Sequence, residues 1–339
     1  MKGGLGAAPG SGITGSDASA SWGLESRLAM SDPMTAEHQL HDSAGAAGQA
    51  VKDGDQRSES SPADPILRWR RSAFGVPFEV TFIPGAFRAG SLDDPPPASE
   101  RLRHVLPPHR TPTDEAPQIS FTIVGRGPAK VDYSNSAGEV HTGIPLADAL
   151  AHLDLAIRLH LALTAPGALF IHAGAVELDG SAVLFPGASR AGKSTLVRAL
   201  VDAGCGYLSD EFAVLDVVGR VRPYARHLAM REPWGGKMSL DPRTLAGPVV
   251  TSPLPVAAII DLPFAGGDPL IVHPLSAAEA AMALVANAVA ARSRSSEVLR
   301  ATAAAARTSV ALRGHRGDVD VAVRPLLEHL RALIADQRR

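Results

Sequence analysis

An α/β fold is predicted by three features of the sequence. Apolar runs of strand length recur ("ISFTIVG", "ALFIHAGAVEL", "SAVLFPG", "PVAAIIDLPF"), amphipathic helical stretches lie among them, and residues 181–216 read as strand, glycine-rich loop, helix and strand in succession. The third feature is the strongest, because order along the chain is what separates an α/β unit from a chance alternation.

The 339 residues suffice for one large domain or two small ones, and 45% hydrophobic with 20% charged residues is ordinary for a globular chain. A formal net charge of -2 argues against a general nucleic-acid binder, which needs a basic face. The single cysteine, Cys205, excludes an internal disulfide and fits a reducing compartment. The N-terminal "MKGGLGAAPGSG" lacks the apolar core of a signal peptide, and no apolar run is long enough to span a bilayer, so a cytoplasmic protein with no membrane partner is expected.

Residues 1–62 are rich in Gly, Ala, Ser and Asp and too poor in large apolar residues to offset their ordering entropy, which predicts a disordered tail with at most short helical fragments. Folded sequence is expected from "PILRWRRSAFGVPFEVTFIPG" onward, and residues 63–165 read as a small α/β module. Within it "ISFTIVG" alternates as a strand, and "KVDYSNSAGEVHTG" is a hairpin turning at Ser136–Gly138. The Pro-rich stretch "LDDPPPASERLRHVLPPHRTPTDEAP" is predicted to be a loop or linker. After Pro145, apolar residues recur at helical spacing until Pro166-Gly167 stop the helix.

Residues 166–339 form the second predicted unit. "ALFIHAGAVEL" is a strand, Asp179-Gly180 a two-residue hairpin turn, and "SAVLFPG" the return strand that runs into the glycine loop. "STLVRALVDAG" follows as a helix closed by Gly204, and "CGYLSDEFAVLDVVG" gives a short strand ending at Asp210-Glu211 and then another. Further on, "PVAAIIDLPF" is a buried strand, "SAAEAAMALVANAVAARS" a helix opened by a Ser276–Glu279 capping box, and "RPLLEHLRALIADQ" a closing amphipathic helix.

Gly187-Ala188-Ser189-Arg190-Ala191-Gly192-Lys193-Ser194 matches the full phosphate-loop pattern, with Thr195 behind it. Glycines permit the backbone to turn successive N–H groups inward as a cradle for anionic oxygens, and the following helix adds its N-terminal dipole. Lys193 is expected at the β/γ-phosphates and Ser194 at Mg²⁺. Arg190 either touches phosphate or points to solvent. Asp210 and Glu211 are expected on a strand beside the phosphate-loop strand, where one carboxylate ligates the metal and the other accepts a proton. His172 is either a satisfied core residue or a functional one near the loop. In "RPYARHLAMREP", Arg226 and Arg231 are candidate phosphate contacts beside the reading of a solvated basic loop.

His172-Ala-Gly, the Gly187–Ser194 loop and Leu208-Ser209-Asp210-Glu211, taken together at their spacing, resemble the C-terminal catalytic domain of HPr kinase/phosphorylase. The resemblance covers residues 168–216 well and the remainder more loosely. Thr195 directly after the loop serine, Glu211 as second acid and "HLAMREPWGGKMSL" after the acid pair bring the chain nearer the shorter HPr-kinase-like proteins, some of which accompany ribosomally made peptides. The resemblance implies a P-loop kinase domain of the HPr kinase/phosphoenolpyruvate carboxykinase type over 166–339. It implies ATP with Mg²⁺, a protein or peptide substrate bearing Ser or Thr, and a homo-oligomer as one assembly. Asp210 would be the base that deprotonates the acceptor hydroxyl, Glu211 would support the metal and His172 would tune the acid pair. A P-loop ATPase or a nucleotide-sensing module is the alternative, and ADP or pyrophosphate remain open as donors.

Overall fold

Two sheets with helices packed on them make up the part of the chain that the computed structural model describes, residues 66–85, 98–127, 129–189, 191–231, 237–267 and 269–337. The tail predicted as disordered over 1–62 lies outside the described residues, as does Arg190. The described residues fall in one compact unit. Among them, no helix is long and apolar enough to cross a membrane.

The first sheet has the order β3-β1-β2-β4-β5-β6 and contains β1 (Leu67–Ala73), β2 (Val76–Ile83), β3 (Thr111–Pro112), β4 (Ile119–Gly127), β5 (Lys130–Asn135) and β6 (Val140–Pro145). Only β2 and β4 run parallel. The period-2 pattern of β4 puts Ile119, Phe121 and Ile123 on the buried face, as the alternation predicts. Helix α1 (Ala98–Val105) and β3 occupy the Pro-rich stretch predicted as loop or linker. "ASERLRHV" contains no proline, and Leu102 and Leu106 bury themselves in the core, so the prolines bound an ordered element there. Helix α2 (Leu146–Thr164) begins after Pro145 and lays Leu146, Ala149, Leu150, Leu153, Ile157 and Leu161 inward. These positions recur at three and four residues, one stripe of a helix.

The second sheet has the order β11-β10-β7-β8-β14-β16-β15, with β9 also on β7. Its strands are β7 (Ala168–Leu178), β8 (Ser181–Pro186), β9 (Gly206–Ser209), β10 (Phe212–Asp216) and β11 (Val221–Arg222), then β14 (Val256–Asp261), β15 (Ile271–Pro274) and β16 (Val310–His315). A separate ribbon joins β12 (Leu228–Arg231) to β13 (Lys237–Leu240). At the β7–β8 turn both Asp179 and Gly180 take positive φ, 50° and 81°, which matches the twist of the flanking strands.

Strands β8, β14 and β16 are parallel and have helices on both faces, which explains their continuous apolar runs. Val183, Phe185, Ala258 and Ile260 face helix α3 (Lys193–Asp202) and helix α6 (Val319–Gln337). The alternate residues Ala182, Leu184 and Ile259 face helix α4 (Ala277–Ala286) and helix α5 (Ser295–Arg307). The Ser276–Glu279 capping box at α4 is present as predicted. Phe170, Phe212, Val214 and Tyr224 of the second sheet belong to the same core as the first sheet's Phe78, Phe121 and Tyr133.

One strand neighbour differs from the sequence expectation. The strand leading to Asp210-Glu211 does not lie beside the phosphate-loop strand: β9 pairs antiparallel with β7, and the neighbours of β8 are β7 and β14. The place beside β8 demands a strand apolar on both faces, which β14 supplies with five of its six residues buried. β7 is long enough to hold β8 on one edge and both β9 and β10 on the other.

Candidate functional site

The acid pair is brought to the loop by a break in that outer edge. Ser209 stands opposite Ala175 and Phe212 opposite His172, so the chain bends outward at Asp210-Glu211. The Ser209 hydroxyl fixes the bend by accepting from the backbone N–H groups of Glu211 and Phe212, at 3.2 and 3.0 Å. Ala173 then connects both parts of the site: it pairs with Pro186, just before the loop, and its N–H donates to the Glu211 carbonyl at 3.1 Å. The "His-Ala-Gly" run has a packing reason in its glycine. A Cβ at Gly174 would lie 2.7 Å from Val197 Cγ2 and 3.8 Å from Lys193 Cβ, so a bare Cα lets α3 settle directly on β7.

The loop turns into α3 at Gly192, whose φ of 79° suits glycine. Lys193 folds back over the loop, its Nζ donating to the carbonyls of Gly187 (2.7 Å) and Ala188 (2.8 Å). Burial lowers its pKa to about 8, against the opposing pull of Glu211 and Asp210. Ser189 and Thr195 are exposed along the same turn, and Gly187, Ala191 and Ser194 are half-buried.

Asp210 is buried at 8% exposure, with the Ser194 side chain close enough to act on its ionisation and the Tyr207 hydroxyl donating to its Oδ1 at 3.1 Å. Burial raises its pKa, and the Glu211 charge adds to this while the Ser194 and Tyr207 hydrogen bonds oppose it. Glu211 is held differently, in an ion pair with Arg158 of α2. Arg158 Nε in turn lies 3.2 Å from Asp154 Oδ2, and the other oxygen of Asp154 pairs with Arg226. The two neighbouring acids therefore have separate tasks: Asp210 faces the loop serine, and Glu211 ends a charge chain running through Arg158 and Asp154 to Arg226.

His172 lies on β7 against Phe212, with Nε2 buried and without a hydrogen-bond partner among the described residues. Burial lowers its pKa to about 4, helped by the charges of Lys193 and Arg158 and opposed by a hydrogen bond to the Glu211 backbone. The ring is neutral at pH 7. Because the unfolded chain takes up a proton near 6.5 and the folded one near 4, stability falls as pH drops across that window, by up to about 3 kcal/mol. Urea unfolding of wild type and His172→Gln checks this, and the stability difference is expected to change between pH 7 and pH 4 and stay flat above pH 7.

The structure thus brings together Gly187 to Ser189, Ala191 to Ser194, Asp210, Glu211 and His172. Arg226 reaches the site through Asp154 and Tyr207, whose hydroxyl lies 2.9 Å from the Arg226 carbonyl; its guanidinium pairs with Asp154, and its Nη1 is buried without a hydrogen-bond partner among the described residues. Arg231 ends β12, and its side chain lies outside the described residues. Sequence reading missed Arg158, Asp154, Tyr207 and Arg316. The last follows β16, is 2% exposed, and donates from Nη2 to the Gly192 carbonyl at 2.8 Å, with its guanidinium 5.6 Å from the Phe264 ring. No local motif marks it, since 124 residues separate it from Gly192. A cleft of about 470 Å³, lined by Trp69, Arg71, Arg103 and His109, opens at the first sheet, away from the loop.

The donor set fits a hard divalent cation and a polyphosphate. Ser194 and Asp210 offer oxygens beside each other, as Mg²⁺ prefers, and Lys193 has two carbonyls to exchange for phosphate oxygens. At Gly192 a Cβ would come within 2.7 Å of Arg316 Nη2, so the loop is shaped around a glycine backbone there. No protein-family model matches the chain, and no curated protein or solved structure matches it either.

Proposed function

We propose that the chain is an ATP- and Mg²⁺-dependent phosphotransferase of the HPr-kinase-like P-loop type, acting on a Ser or Thr hydroxyl of a protein or peptide. One observation carries this reading: a buried carboxylate, Asp210, beside the loop serine and within the field of the loop lysine. A carboxylate enclosed at that point can take a proton from an acceptor hydroxyl, which supports transfer to an alcohol.

In this reading the loop N–H groups and Lys193 orient the triphosphate, and Asp210 takes the proton of the acceptor hydroxyl as its oxygen attacks the γ-phosphorus. Mg²⁺, held by Ser194 and the acid pair, would neutralise charge on the phosphate oxygens. Glu211 is kept in place by Arg158, which leaves Asp210 as the freer acid for proton transfer. Neutral His172 fills the space behind the acid pair and adds no positive charge that would lower the basicity of Asp210. The reading includes a cytoplasmic enzyme, for which the free thiol of Cys205, buried and pushed up to about 11, is suited. Nucleic acid and membrane have no part in it, and a homo-oligomer is compatible with it.

Transfer of label from γ-labelled ATP to peptides encoded beside the gene tests the proposal, with Asp210→Asn alongside wild type. Labelled peptide supports it. Free phosphate without labelled peptide would move the activity to water, and the reading would fail.

Lys193 adds a pH signature. Its pKa of about 8 in the free loop means that raising the pH from 7 to 9 removes the charge that attracts phosphate. Bound phosphate keeps the lysine protonated, so affinity for ATP is expected to weaken about tenfold over that interval. Calorimetric titration of wild type and Lys193→Met checks it: the variant binds more weakly and shows no such slope.

A further inference from the structure

Glu139, His141 and His152 meet on the far side of α2 from its contacts to the acid pair. His141 Nε2 and His152 Nδ1 each lie 3.0 Å from the same oxygen, Glu139 Oε1, and all three ligand atoms fall within 4.8 Å of one another. The two imidazoles are stacked with centroids 3.9 Å apart. We propose that these three side chains form a binding site for a divalent transition cation of the zinc class, clamping the β5–β6 hairpin to α2.

The spacing suits the bond lengths. Ligands at about 2.1 Å around a tetrahedral ion stand about 3.4 Å apart, so the two 3.0 Å separations to Glu139 Oε1 need open by about 0.4 Å. Both rings already present a nitrogen to the shared oxygen; a switch of tautomer turns each from donor into ligand, and rotation of the Glu139 carboxylate opens room for the ion between them. The carboxylate is oriented by a second layer. Its other oxygen, Oε2, accepts from Asn135 Nδ2 at 2.8 Å and lies 3.4 Å from the buried Tyr133 hydroxyl, which leaves Oε1 turned to the histidines. Asn135 is itself anchored, its Oδ1 accepting from the N–H groups of Ala137 and Glu139 at 3.0 and 3.2 Å. Two imidazoles and one carboxylate favour zinc-class ions over Mg²⁺ or Ca²⁺, which prefer all-oxygen sites. The three side chains are about a third exposed, at 33%, 35% and 36%, so the remaining coordination position faces water.

The cation would tie Glu139 of the hairpin turn and His141 of β6 to His152 of α2, which also carries Asp154 and Arg158. It is distinct from the Mg²⁺ position beside Ser194. The test uses the full chain, stripped with chelator and titrated with Zn²⁺ against a chromophoric competitor, and separately with Co²⁺ for visible d–d absorption. One equivalent is expected to bind. His152→Ala and His141→Gln should each weaken it at least about 100-fold and abolish the Co²⁺ spectrum, and Asn135→Ala should weaken it about tenfold. Circular dichroism of the stripped variants checks folding, and His141→Gln preserves a hydrogen bond to Glu139 should the alanine variant unfold. Absence of a competitively held equivalent, or binding and spectra unchanged in both histidine variants, would overturn the site.

Discussion

Asp210→Asn is expected to lower phosphate transfer to a hydroxyl acceptor by about 10²–10⁴, the usual contribution of a positioned general base, while ATP is still bound. The substitution is nearly isosteric and retains an oxygen for the Tyr207 hydrogen bond. Its effect on stability has the opposite sign. The carboxyl is buried and its pKa raised, so the folded state bears a cost for ionising it at neutral pH, and the amide removes that cost. An unchanged or raised melting temperature together with lost transfer would separate chemistry from folding. If transfer persisted within a few-fold of wild type, Asp210 would not be the base.

Asp154→Ala is expected to have the largest effect on stability. Asp154 pairs with both Arg158 and Arg226, and these side chains are 20%, 18% and 14% exposed. Removing it leaves two poorly hydrated guanidinium groups facing each other's field, with only Glu211 nearby. Loss of one partner from such a buried network costs about 3–5 kcal/mol, which lowers the melting temperature by roughly 10 °C in a chain of this size. Asp154→Asn should cost less, because it still accepts hydrogen bonds from both arginines. Thermal denaturation of the two variants measures the difference; a loss under about 1 kcal/mol for alanine would mean that solvent screens the network.

This network also shows where sequence reading stopped. Asp154 and Arg158 lie on the helix predicted after Pro145, four residues apart, and in the sequence they look like a solvated i,i+4 pair. Their partners Glu211 and Arg226 come 53 and 72 residues later. A helical period says which residues share a face and nothing about which distant strand that face meets.

The elements and the glycine turn into α3 were determined by the sequence itself. Glycine at a left-handed position, a capping box, an Asp-Gly turn and alternating apolar residues each act over a few residues, so they are written locally and could be read locally. Tertiary structure alone decided which strand lies beside β8, why Ser209 bends the chain so that Asp210 meets Ser194, and that Arg316 reaches the carbonyl of Gly192. Those outcomes depend on packing between segments far apart in the chain, where burial of both faces of a strand and the desolvation of charge select one partner among many.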